Sequence, residues 1–297
     1  MAKGKRIAVI LDTDIGTDID DTWALAMLLK SPELDTRLVV GATGNTTYRA
    51  SLIARLLETA GRTDIPVAVG IHQDRTFGEA QRPWVEDYDL ARYPGTVEYD
   101  GVQTLVRTIM DSPEDITLIG IGPVTNIAAA LDVEPKIASR CRFVGMLGSI
   151  RRHHENKEGA IAEYNVAQDI PACQKVFAAP WKSLTITPLD TCGSVRLEGD
   201  AYAALCDCPD PLIKAVIENY RIWLGGKPDG GRTSILFDTV AIYLAFATEL
   251  LVMETMSIRI ADSGYMVSDT GGPGVQVAMD WKDPAKYRDF LTRRLLG

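Results

Sequence analysis

The chain has 297 residues, of which 46% are hydrophobic and 24% charged, with a mean hydropathy near zero, the mix of an average soluble globular protein. That composition excludes a disordered chain, and no apolar run reaches the roughly 18 residues that a membrane-spanning helix needs. A formal net charge of −9 argues against a nucleic-acid partner, which would call for a basic face.

Length alone, at about 150 residues per domain, suggests two domains. No linker, low-complexity tract or repeat divides the sequence, so residues 1–297 are expected to form a single domain. The start is basic and then apolar for only five residues before Asp12, short of the roughly 7–15 that a secretory signal needs. A cytoplasmic location is the expectation. The five cysteines, Cys141, Cys173, Cys192, Cys206 and Cys208, are odd in number and scattered, which fits ordinary reduced thiols and no disulfide framework.

Taken in chain order, Ile7–Leu11 reads as a buried strand and Thr22–Lys30 as a helix with an aspartate N-cap and Pro32 as its stop. Leu38–Val40 is the next strand, followed by Gly41-Ala-Thr-Gly-Asn45, then a helix over Ala50–Ala60 and a strand over Val67–Val69. The segment from His72 to Gly101 is polar and irregular, a length that marks a functional loop. Helix Val102–Met110, strand Ile116–Ile121 and helix Thr125–Leu131 follow. Then come strand Phe143–Leu147, helix Asp169–Phe177 and strand Leu184–Ile186. Beyond Asp210 the chain reads as largely helical, apart from a Gly225–Gly231 loop and strand-like stretches at Ser257–Ile260 and Val275–Met279.

Short Ile- and Val-rich strands alternating with helices predict an α/β fold: an open, mostly parallel (mixed) sheet flanked by helices, Rossmann-like, with the active site at the carboxyl ends of the strands. The segments Asp12–Asp21, Gly41–Asn45 and Gly120–Asn126 should therefore converge on one edge of the sheet.

The first of these carries Asp12, Asp14, Asp18, Asp20 and Asp21 within ten residues. A helix dipole favours one or two acidic residues at its start, not five. An EF-hand loop would require a carboxylate at position 5 and Glu at position 12, where this chain has Gly16 and Trp23. A site for a hard cation, built from carboxylate and carbonyl oxygens, accounts for the cluster. The Asp12-Thr-Asp14 start is also similar to the haloacid-dehalogenase phosphatase loop, but Ile15 stands where that loop needs glycine.

Four motifs in order then resemble the inosine–uridine nucleoside hydrolase family. These are Asp12-Thr-Asp14-Ile-Gly16 with Asp20-Asp21, Gly122-Pro-Val-Thr-Asn126-Ile-Ala, Ala162-Glu163-Tyr-Asn165 with Asp169, and Leu236-Phe237-Asp238. The resemblance implies hydrolysis of the N-glycosidic bond of ribonucleosides with a bound Ca²⁺, and a homodimer or homotetramer, with no nucleic-acid or membrane partner. By position, Asp14, Asp21, Asp238 and the Ile121 carbonyl resemble the calcium ligands, and Asp14 also the catalytic base. Asp20, Asn45, Met146, Glu163 and Asn165 resemble sugar contacts, Asn156 stands in for a further one, and Trp223 falls where the base is contacted.

Three departures from the pattern bear on function. Two extra residues separate Asp14 from Asp20-Asp21, which leaves Asp18 a rival ligand. Phe237 replaces a histidine that some members use to protonate the departing base; it serves either core packing or stacking on the base. The loop from Ser149 to Gly159 does not align, and its His153 or His154 could supply the missing acid. A chain of this fold without that acid could also bind nucleosides and not turn them over.

Overall fold

The computed structural model describes residues 5–75, 77–268, 271 and 274–297; the first four residues, part of the basic N-terminus, lie outside them. Among the described residues the strands are β1 (Ile7–Thr13), β2 (Leu34–Gly41), β3 (Val67–Val69), β4 (Val97–Glu98), β5 (Ile116–Gly120), β6 (Cys141–Met146), β7 (Ser183–Thr187), β8 (Leu251–Ile260), β9 (Met266–Ser268) and β10 (Gly274–Trp281). They join one ten-stranded sheet in the order β4-β3-β2-β1-β5-β6-β7-β10-β8-β9. From β4 through β10 every neighbouring pair is parallel; only β10–β8 and β8–β9 are antiparallel. The expected mixed, mostly parallel α/β sheet is thus present.

Two apolar layers bury both faces of the sheet, which is why its central strands are continuous apolar runs. Along β1, Val9 and Leu11 pack on one side while Ala8 and Ile10 pack on the other. The helix α1 (Asp20–Leu29) lies wholly inside one layer, with its residues from Asp20 to Leu28 buried. It begins two residues earlier than expected. Ile19 occupies its N-cap with no side-chain cap, and Asp20 and Asp21 sit in the first turn. The expected aspartate cap is therefore corrected: these carboxylates keep the favourable dipole position while lining a cavity.

Strand order reverses between β1 and β5, and a parallel sheet opens a crevice where it does so. The three chemistry-bearing segments do meet there. Asn126 fastens them: its Nδ2 donates to Asp12 Oδ2 at 2.8 Å and to the Gly41 carbonyl at 3.3 Å, and its Oδ1 accepts from the Ile71 amide at 2.9 Å. Asn126→Ala is expected to cost about 2–4 kcal/mol, because a fully buried amide would leave unpaired groups on three strand ends. Urea unfolding measures this, and a loss below about 1 kcal/mol would contradict the fastening role.

The segment His72–Gly101 holds a four-residue helix at Arg82–Val85 and the strand β4. Its inner part braces the aspartate loop from outside. The Ala80 amide donates to the Gly16 carbonyl, Gln81 Nε2 donates to the Asp18 carbonyl, and Gln81 Oε1 accepts from Thr22 Oγ1. All five cysteines are free. No helix among the described residues is long and apolar enough to cross a membrane.

Candidate active site

A cavity of about 540 Å³ opens at the carboxyl ends of β1, β5 and β6, a size suited to a small organic ligand. Asp14, Asp18, Asp20, Asp21, Ile121, Met146, Glu163, Asn165, Trp223, Phe237 and Asp238 all line it. Residues separated by more than two hundred positions thus share one wall.

The loop that delivers the aspartates turns at Gly16, whose φ is +111°. A Cβ there would lie 2.6 Å from the Tyr48 ring, so glycine is required. Gly122 is needed for a different reason, since a Cβ would come within 2.7 Å of Asp14 Oδ1. Its absence lets the end of β5 approach Asp14 closely.

Oxygens of Asp20, Asp21 and Asp238 all lie within 4.8 Å of one another, and all three side chains are buried. Burial first, and then the charges of neighbouring carboxylates, hold each of the three carboxyls well above its usual range. Thr13 Oγ1 donates to Asp21 Oδ1. Three buried carboxylates this close cannot all ionise without a cation among them. The donor set, oxygen only and acidic, fits a hard divalent ion. Asp14 lines the same cavity but stands outside this tightest trio, and burial raises it to about 6 against the opposing Arg49 charge.

The strongest support for the loop comes from a residue that sequence reasoning missed. Arg49, on the helix α2 (Thr46–Thr59), is only 1% exposed. Its guanidinium donates to the carbonyls of Thr43, Asp14 and Ile15 and to Thr17 Oγ1. An arginine among helical residues looks like surface, and no local pattern betrays it.

Glu163 caps the short helix Tyr164–Gln168 and accepts from the amides of Gly148, Asn165 and Val166. Burial nevertheless raises it to about 7, the three amides pulling the other way. Asn165 Nδ2 donates to the carbonyls of Ile121 at 3.2 Å and Met146 at 3.1 Å. A single amide therefore holds together the two backbone positions singled out in the sequence. Trp223 stacks on Tyr220 with ring centroids 6.0 Å apart. Phe237 both lines the cavity and packs on the core.

Two expected sugar contacts do not reach the cavity wall. Asn45 caps α2 by accepting from the Tyr48 amide, and its Nδ2 donates to Glu79; its polar atoms are engaged elsewhere. Asn156 sits exposed at a turn with φ +60°. Trp84, in the irregular segment, is buried away from the site and donates its indole N–H to Glu218. Conversely, Thr17, Tyr164, Arg196, Asp229 and Arg232 also line the cavity. Most of these come from irregular segments that carry no periodic signal.

The fold and site together define an α/β protein with an acidic, cation-suited pocket at the topological switch point of its sheet. A family model described as inosine-uridine preferring nucleoside hydrolase matches residues 9–289. The chain belongs to that family, whose members are hydrolases acting on N-glycosyl compounds. Uridine nucleosidase 1 of Arabidopsis thaliana is 28% identical over 283 residues, covering 90% of this chain and 82% of that protein. Probable uridine nucleosidase 2 of the same plant is 35% identical over 193 residues, covering 60% of this chain and 58% of its own length. Among solved structures, a plant nucleoside hydrolase, the PpNRh1 enzyme, superposes with a TM-score of 0.82 at 22% identity, covering 99% of this chain and all of that one. At that identity the likeness speaks for the fold.

Proposed function

We propose that this chain hydrolyses the N-glycosidic bond of ribonucleosides to ribose and free base with the help of bound Ca²⁺. One observation carries the reading: Asp14, the Asp20–Asp21–Asp238 trio, Glu163 and Asn165 converge in one nucleoside-sized cavity. Asp21 and Asp238 would hold the ion, joined by Asp14 and the Ile121 carbonyl. Bound there, Ca²⁺ supplies positive charge that orients vicinal sugar hydroxyls and acidifies water. The rest falls to the chain's own residues. Asp14 takes the proton of the attacking water. The surrounding carboxylates stabilise positive charge that develops on the sugar ring as the bond to the base lengthens. Asp20, Glu163 and Asn165 orient the hydroxyls.

The uridine nucleosidases among the relatives make uridine the first substrate to try. A reducing-sugar assay over purine, pyrimidine and modified nucleosides, with Ca²⁺ and with a chelator, tests the reading. Ribose release that falls at least about 10²-fold with the chelator is expected. No release from any nucleoside, although calorimetry shows Ca²⁺ bound, would replace it with a binding protein that has no turnover. A homodimer or homotetramer belongs to the same proposal and is checked by light scattering.

A further inference from the structure

The departing base must be protonated, or leave as an anion, and Phe237 has no proton to give. The structure brings a histidine to that phenylalanine. His154 lines the cavity, and its ring meets Phe237 edge to face, with centroids 5.6 Å apart and planes at 88°. We propose that His154, from the unaligned loop, donates the proton to the leaving base. This deepens the hydrolase reading and rests on it.

The backbone on both sides of this half-exposed histidine is anchored. The buried Asp190 carboxylate accepts from the amides of Ile150, Arg151 and Arg152 at 2.7–2.9 Å. Beyond it, the Glu155 amide donates to the Gly193 carbonyl, and Glu155 takes a left-handed φ of +58°. A loop serving only as a solvated connection has no need of a buried carboxylate anchor and a non-glycine residue in that region. Phe237 then acts as a packing wall for the imidazole on one side of the cavity.

The C1′–N bond breaks with its electron pair passing to the base, and the imidazolium N–H proton moves to a base nitrogen. Water oxygen bonds C1′ and gives its proton to Asp14. His154 is then reprotonated from solvent, and Asp14 releases its proton there. Around the ring, His153 and Lys157 oppose its charge, while Glu155 and Asp18 favour it; Arg196 bonds to Glu155 from outside. Partial desolvation against the cavity wall is the largest influence and places His154 below the usual histidine range, although the ring still meets solvent. Its acid form therefore populates only as pH falls below that range, and when formed it is the stronger acid.

The test compares uridine and inosine with p-nitrophenyl riboside, whose phenolate leaves without a proton. His154→Gln is expected to lower kcat on the nucleosides by about 10²–10³-fold, to leave p-nitrophenyl riboside within about 2-fold, and to abolish the rise in nucleoside activity toward acid pH. His154→Asn serves if the glutamine variant fails to fold, as judged by Tm and Ca²⁺ binding. Equal losses on both substrate classes, or no loss on nucleosides, would overturn the proposal. Nucleoside cleavage that the His154 variants retain in full overturns this proposal while the hydrolase reading stands; a wild-type protein that cleaves no nucleoside sinks both.

Discussion

Asp21→Asn is expected to lose roughly 10²–10⁴-fold in kcat and yet to be more stable than the wild type in chelator, by on the order of 1–3 kcal/mol. The two effects share one cause. Asp21 is buried beside Asp14 and Asp20, and both raise it further above its usual range. Asparagine keeps the shape and can still accept from Thr13 Oγ1, while removing one of the crowded charges. Added Ca²⁺ should stabilise the wild type and leave the variant unchanged, since ligand binding to the folded state is what links the two. Urea unfolding with and without Ca²⁺, together with calorimetric titration, reads all of this. A variant that is less stable in chelator and still binds Ca²⁺ as tightly would remove Asp21 from the ion site.

Arg49→Met should move stability the other way, by roughly 3–5 kcal/mol. The guanidinium is the cation that offsets Asp14 and Asp21 from behind the loop, and it satisfies three backbone carbonyls that no other described side chain bonds. Methionine fills much of the volume and supplies no donor. Lysine retains the charge but not the planar fork, and should fall between the two. Because Arg49 and Asp21 act on one charge balance, the double variant with Asp21→Asn should recover about 1 kcal/mol of the loss. Linear extrapolation of urea transitions is the measurement. A loss below about 1 kcal/mol for Arg49→Met would mean that the outer brace from Ala80 and Gln81 holds the loop by itself.

Much of the framework was legible in the residues. Ile7–Leu11, Ile116–Ile121 and Phe143–Leu147 are apolar without alternation, the mark of strands covered on both faces, and they lie at the centre of the sheet. Strands near the edge read less well. The stretch Ser257–Ile260 is the end of a ten-residue strand, β8, whose Glu254, Thr255, Ser257 and Arg259 dilute the apolar signal. The beginning of β2 was missed for the same reason, since Asp35 and Arg37 interrupt it. The start of α1 was misplaced because an aspartate before a helix usually caps it, whereas here the aspartates are turned to the cavity.

The aspartate cluster, the ordered motifs and the parallel sheet were determined by the sequence itself, because each is a local pattern or a run whose burial composition reports. The tertiary structure alone decided which carboxylates come together as a trio, that Asn45 and Asn156 stay off the cavity wall, and that His154 meets Phe237. It alone revealed Arg49, Gln81, Asn126 and Asp190 as buried anchors. All four reach partners more than thirty residues away, Asn126 as far as 114 positions. A polar side chain has the same sequence signature whether it meets water or a distant carbonyl. Only the folded chain determines which of the two satisfies its hydrogen bonds.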